Sequence, residues 1–130
     1  MAIGRAIKTV DRDIIYVTLS NSEMEKAAKK LGLRFALEGF PDRRYDDNGN
    51  LASRSIPGTV IKDPKVAGEA ALRMVRDGEI VAMSGKILKV KVDTLCVHGD
   101  EATGVAVARG IRETLEGAGI SVVPIPELGL

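Results

Sequence analysis

The sequence predicts an α/β protein built on a mainly parallel sheet. Two observations carry that prediction. Apolar, β-rich runs at Ile14–Leu19, Phe35–Phe40, Thr94–His98 and Ile120–Val123 alternate with stretches of helical period. Between the first two runs stands one short helical stretch, and a strand–helix–strand succession favours a parallel, right-handed crossover.

Each element has its own signals. Ile3, Ala6, Ile7 and Val10 recur at helical spacing, so the chain opens on one face of a short helix, as though inside a larger fold. Ser22 and Glu25 form a capping-box pattern ahead of the stripe Met24, Ala27, Ala28 and Leu31, and Gly32 closes that helix. Residues 41–62 then interrupt the rhythm. A connection of this length in a small domain is usually functional or disordered, and Asn48-Gly49 predicts a tight turn within it. Asp63-Pro64 supplies a cap and a first-turn proline for a helix whose buried face is Val66, Ala67, Ala70, Ala71 and Met74, ended by Gly78. Ile80–Ala82 and the alternating Lys86–Val92 read as a small hairpin with Lys89 and Lys91 in water. A last helix is expected over Glu101–Gly117, carrying Val105, Ala108, Ile111 and Leu115. About four core strands are too few to close a barrel, which needs about eight. The expected sheet therefore needs a partner to cover an edge, with a small complete doubly wound domain as the alternative.

Composition excludes several function classes. The 130 residues carry 19 Lys and Arg against 18 Asp and Glu, a net charge of +1 that gives no field for nucleic acid or a membrane surface. With no Trp, two Phe and two Tyr, a base-stacking platform is not expected. One cysteine rules out an intrachain disulfide and a cysteine-rich zinc site, and fits a reducing cytoplasm. No apolar run reaches the length of a signal peptide core or a membrane span.

Ligands of parallel α/β folds lie outside the carboxyl ends of the strands. Two polar groups fall there: Glu38 with Asp42, Arg43, Arg44 and Tyr45, and His98 with Asp100. Ser53, Arg54 and Ser55 can fold back over the same face. Together they offer a histidine that titrates near neutrality, carboxylates for proton transfer and guanidinium forks for an anion. Each also has a structural alternative. His98 can end a strand, Asp100 can cap the following helix, Arg43 and Arg44 can be solvated loop charges, and Cys96 reads as a small buried apolar residue. Glu38 is harder to dismiss, because a carboxylate in an apolar strand needs a partner or solvent. No HxH or HExxH metal spacing and no GxxxxGK[ST] phosphate loop occurs, so no residue here is assigned as a metal ligand and the metal requirement stays open.

The combination of blocks is more specific than its parts. Glu38-Gly39-Phe40-Pro41-Asp42-Arg43-Arg44-Tyr45, Asp47-x-Gly49-x-Leu51 and Ser53-Arg54-Ser55-x-x-Gly58-x-x-Ile61 resemble the LamB/YcsF family. The resemblance continues through Ala71–Val75, the Gly85 turn, Asp93–Asp100 and Ala108-Arg109-x-Ile111-Arg112. It implies part of an irregular (β/α) barrel similar to glycoside hydrolase and deacetylase barrels, with residues 1–130 as one domain corresponding to the C-terminal half of a member. Pro41 departs from the family's usual Ala and removes a backbone donor.

The function implied is that of the A component of an ATP-dependent 5-oxoprolinase, which opens the lactam of 5-oxo-L-proline to L-glutamate with ATP and partner subunits B and C. In that reading Asp42 or Asp100 orients or deprotonates water and His98 shuttles a proton. Arg43 and Arg54, with Tyr45, bind the substrate carboxylate or a phosphoryl group, and Glu38 positions Arg43 or His98. The missing N-terminal half comes from another chain, or the chain self-associates. The alternative function is a non-catalytic, self-associating binding or scaffold module.

Overall fold

The computed structural model describes residues 1–130. In chain order the elements are α1 (Ala2–Val10), β1 (Tyr16–Leu19), α2 (Glu23–Leu31), β2 (Phe35–Gly39), α3 (Pro64–Leu72), β3 (Glu79–Val81), β4 (Ile87–Lys89), β5 (Thr94–Leu95) and α4 (Gly104–Gly117). A π-helical turn, Arg73–Asp77, extends α3, and a short 3₁₀ turn, Ile125–Leu128, lies near the end. The α/β class with a parallel sheet is as expected: β1, β2 and β5 form a three-stranded sheet in that order, both pairs parallel. The hairpin is also present, with β3 and β4 antiparallel as a separate two-stranded ribbon. No closed barrel forms from three strands.

The local signals act as their chemistry requires. Ser22 Oγ accepts from Glu25 N, while the Glu25 carboxylate reaches back to Asn21 N, one residue before the cap. Gly32 ends α2 in the left-handed conformation, φ +62°, which glycine adopts without a Cβ clash. Asp63 accepts from Lys65 N and Val66 N to cap α3, with Pro64 in the first turn.

Three expectations are corrected. Ile120–Val123 pairs with no strand, because the chain leaves α4 through Gly119 at φ +80° and runs on as unpaired backbone into Pro124. The Thr94–His98 run is laddered only at Thr94–Leu95, although Cys96 N still donates to Gly39 O. The last helix starts at Gly104 rather than Glu101, and its N-cap position is Thr103, without a side-chain cap bond.

Two apolar clusters hold the elements. One joins α3 to α4 through Ala67, Ala71, Val107, Ile111 and Leu115, with Ile61 from the long connection. Glycines make this crossing close. A Cβ on Gly110 would lie 2.7 Å from Pro64 Cβ and 2.8 Å from Pro64 O, and one on Gly68 would lie 2.3 Å from Thr114 Oγ1. The second cluster, Tyr45, Met74 and Ile80, packs the long connection against the π turn and the hairpin.

Candidate active site

The carboxyl ends of the parallel strands meet the 41–62 connection. That connection is ordered by backbone bonds: Arg44 N donates to Thr59 O, Ala52 N to Arg44 O and Ile61 N to Asp42 O. Thr59, completely buried, donates its hydroxyl to Ser53 O and Ile56 O and so ties down the middle of the segment. The result delivers Asp42 to the segment that follows β5.

There Asp42 Oδ2 accepts two bonds from one residue, His98 N at 2.7 Å and His98 Nδ1 at 2.8 Å. A carboxylate accepts, so Nδ1 is the ring nitrogen that carries the proton, and the tautomer this selects has its lone pair on Nε2. The ring is stacked on Phe40, centroids 5.6 Å apart, which fixes its plane. Asp42's side chain is 5% exposed and His98's 25%, so the carboxylate is enclosed while the imidazole reaches solvent. Asp42 Oδ1 is buried with no partner, as is Ser20 Oγ just beyond β1. Chemically this is an oriented base beside a free acceptor.

Two ion pairs staple the same loops further out. Arg54 Nη1 bonds Asp100 Oδ2, and Lys62 Nζ lies 2.9 Å from Glu101 Oε2. Arg54 holds the Asp100 carboxyl below its usual range, first through that hydrogen bond, and the pair is fully at the surface. Asp100 therefore serves as a loop tie; the helix-cap alternative does not hold, since α4 begins four residues later.

The other expected site residues are placed differently. Arg43 is 8% exposed, donates Nη2 to Ala52 O and leaves its buried Nε unpaired, so it braces the connection from inside. Tyr45 is 2% exposed and its hydroxyl accepts from Phe40 N, which makes it a core residue; burial raises its pKa to about 12. Glu38 forms no hydrogen bond with Arg43 or His98. It sits half-buried in β2 near Cys96, whose thiol is pushed up first by burial and then by the charges of Glu38 and Asp42. Such a thiol stays protonated, in keeping with a non-reactive Cys96. Sequence reasoning misses Phe40 and Ser20 as site residues; the only signal for either is its place at a strand end.

No group of three or more His, Cys, Asp or Glu side chains could hold a metal ion, and no helix is long and apolar enough to cross a membrane.

A parallel α/β sheet with a carboxylate–histidine pair beyond its strand ends defines an α/β protein, with the pair where ligands of that class bind. The LamB/YcsF family model matches residues 1–129, and the chain belongs to that family. Relatives agree in name. The chain is 47% identical over 123 residues to a protein of Rhodopseudomonas palustris named as the A component of 5-oxoprolinase, covering 95% of this chain and 48% of the relative. It is 46% identical over 121 residues to a protein of the same name from Thermus thermophilus, covering 93% and 48%. The crystal structure of a lactam utilization protein, also from Thermus thermophilus, superposes with a TM-score of 0.84 at 45% identity, over 93% of this chain and 48% of that one. The chain thus spans about half the length of the relatives it matches.

Proposed function

We propose that the chain supplies the C-terminal half of the A component of 5-oxoprolinase, and that it acts in the cytoplasm in hydrolysis of the 5-oxo-L-proline lactam to L-glutamate. The observation that carries this reading is the pair of hydrogen bonds from His98 to Asp42 Oδ2, which presents Nε2 as a base. Water attacking the lactam carbonyl gives up a proton to Nε2. The C–N bond then breaks, and the ring nitrogen takes that proton to become the free amine of glutamate. The Asp42 carboxylate steadies the imidazolium, while its unpaired Oδ1 accepts from the attacking water or the lactam N–H.

Arg43 is committed to Ala52 O, which leaves Arg54, paired with Asp100 at the surface, as the one expected ligand-binding arginine that an anion can reach. The reading places ATP binding and hydrolysis on partner subunits B and C, with this half providing the water-activating groups. The complementary N-terminal half completes the sheet.

The test is glutamate formation from 5-oxo-L-proline and ATP by this chain, with the N-terminal half, then subunits B and C, added in turn. Activity that appears only with the complementary half supports the reading; full activity without this chain refutes it.

One feature favours self-association as a second reading. An apolar groove of about 570 Å³ opens between β5, α4 and the final segment, lined by Leu95, Val97, Ile111, Leu115, Ile120 and Val122 among others. Multi-angle light scattering decides it: a monomer at roughly 100 µM, where even a weak dimer is populated by mass action, excludes self-association.

A further inference from the structure

We propose that Asp100 is an internal stand-in for a ligand carboxylate: it holds Arg54 until a small carboxylate displaces it. On the function proposed above, on which this part of the inference rests, that carboxylate is the substrate's own.

Of the two arginines expected to bind a ligand, Arg43 and Arg54, only Arg54 is open to solvent. Its side chain is 45% exposed and that of Asp100 57%, whereas Arg43 is 8% exposed with Nη2 on Ala52 O. The clasp is a single Nη1–Oδ2 contact, so the remaining N–H donors of the fork stay free for a second oxygen. An exposed pair of this kind contributes little to stability, because water screens it and two long side chains must be held in one geometry. Exchanging one carboxylate for another on Arg54 is therefore close to neutral, and a bidentate ligand gains over the monodentate Asp100.

Release of Asp100 leaves the surroundings intact. It does not cap α4, and the loop stays tied by Lys62–Glu101 on one side and by Asp42–His98 on the other. Asp100 is exposed and Arg54 is its one side-chain partner, so the carboxylate can swing aside while His98 stays bonded to Asp42. Of the three links between the long connection and this loop, the clasp has the most exposed acidic partner. Asp100, whose place the ligand carboxylate takes, stands two positions along the chain from the imidazole that the proposed reaction uses.

The exchange predicts a direction and a dependence: removing Asp100 tightens carboxylate binding, and does so only while Arg54 is present. Binding of 5-oxo-L-proline, acetate and inorganic phosphate is followed by the His98 imidazole NMR signals in the wild type, Asp100→Asn, Asp100→Ser, Arg54→Gln and the Asp100→Asn/Arg54→Gln double variant. Both Asp100 variants are expected to bind the carboxylates about two- to fivefold more tightly than the wild type, as loss of a weak competing internal ligand requires. Arg54→Gln is expected to lose binding, and the double variant to match it. Equal or weaker carboxylate binding in both Asp100 variants overturns the proposal. Tighter binding of acetate with no response to 5-oxo-L-proline upholds the exchange and sinks the substrate reading. Phosphate outcompeting both carboxylates, or no probe moving the signals of any form, also overturns it.

Discussion

One oxygen of Asp42 holds His98 twice, through the backbone N–H and through Nδ1, so the position and the tautomer of the imidazole are set by the same atom. An amide in place of that carboxylate can turn its NH₂ toward Nδ1 and favour the other tautomer. In the reconstituted enzyme Asp42→Asn and His98→Asn are each expected to lower glutamate formation by about 10²–10⁴-fold. The tautomer change in Asp42→Asn is read from ¹⁵N shifts of the ring. Unchanged turnover in both variants removes the pair from the mechanism.

Arg43 and Arg54 are expected to fail differently. Arg43→Gln breaks a buried bond to Ala52 O and is expected to cost about 1–3 kcal/mol in urea unfolding. Arg54→Gln breaks a solvent-screened surface pair, leaves the urea midpoint nearly unchanged, and raises KM for the carboxylate substrate. A reversed pattern contradicts the structural placement of the two arginines.

Tyr45 sets an alkaline limit. Its pKa rises from 10.0 to about 12, chiefly through burial, so the folded state keeps the proton longer than the unfolded chain does. Its contribution to stability is full below about pH 10 and drains as the pH rises from there toward 12, by roughly 2–3 kcal/mol from a shift of this size. Tyr45→Phe is expected to flatten that stretch of the stability–pH curve. At neutral pH it destabilises by about 1–3 kcal/mol, because Phe40 N loses its acceptor.

The α3–α4 crossing is expected to be intolerant of a single methyl. Gly110→Ala puts a Cβ against Pro64, in contact with backbone that cannot swing aside, and is expected to cost about 1–3 kcal/mol in thermal or urea unfolding. Gly99→Ala meets nothing and serves as the control.

Much of the fold is legible in the sequence because its signals are local. The Ser22–Glu25 and Asp63-Pro64 caps, the Gly32 stop and the alternation of the hairpin each lie within a few residues, and each element forms where they stand. The site is legible in part. His98 and Asp42 can be named from strand ends, but their mutual bond spans 56 residues and no spacing rule connects them. The same distance hides the Arg54–Asp100 clasp, 46 residues apart, and lets Asp100 pass for a helix cap. Arg43 and Tyr45 read as polar loop residues, yet the bridges Arg43–Val60 and Tyr45–Leu51 turn them into the inner braces of the connection. Ile120–Val123 has strand chemistry but no neighbour in this chain to pair with, since pairing is a property of two segments.

That unpaired segment leaves a short row of backbone groups without ladder partners. Val122 and Val123 are 46% and 40% exposed on β-branched, unladdered backbone, which is a template for cross-molecular strand addition. Pro124 and Pro126 follow at once, and neither has an N–H to continue a ladder. They act as gatekeepers that restrict any added pairing to the short stretch before them. A matched, short-registered partner edge can use the segment, whereas open-ended fibrillar stacking stops at the prolines.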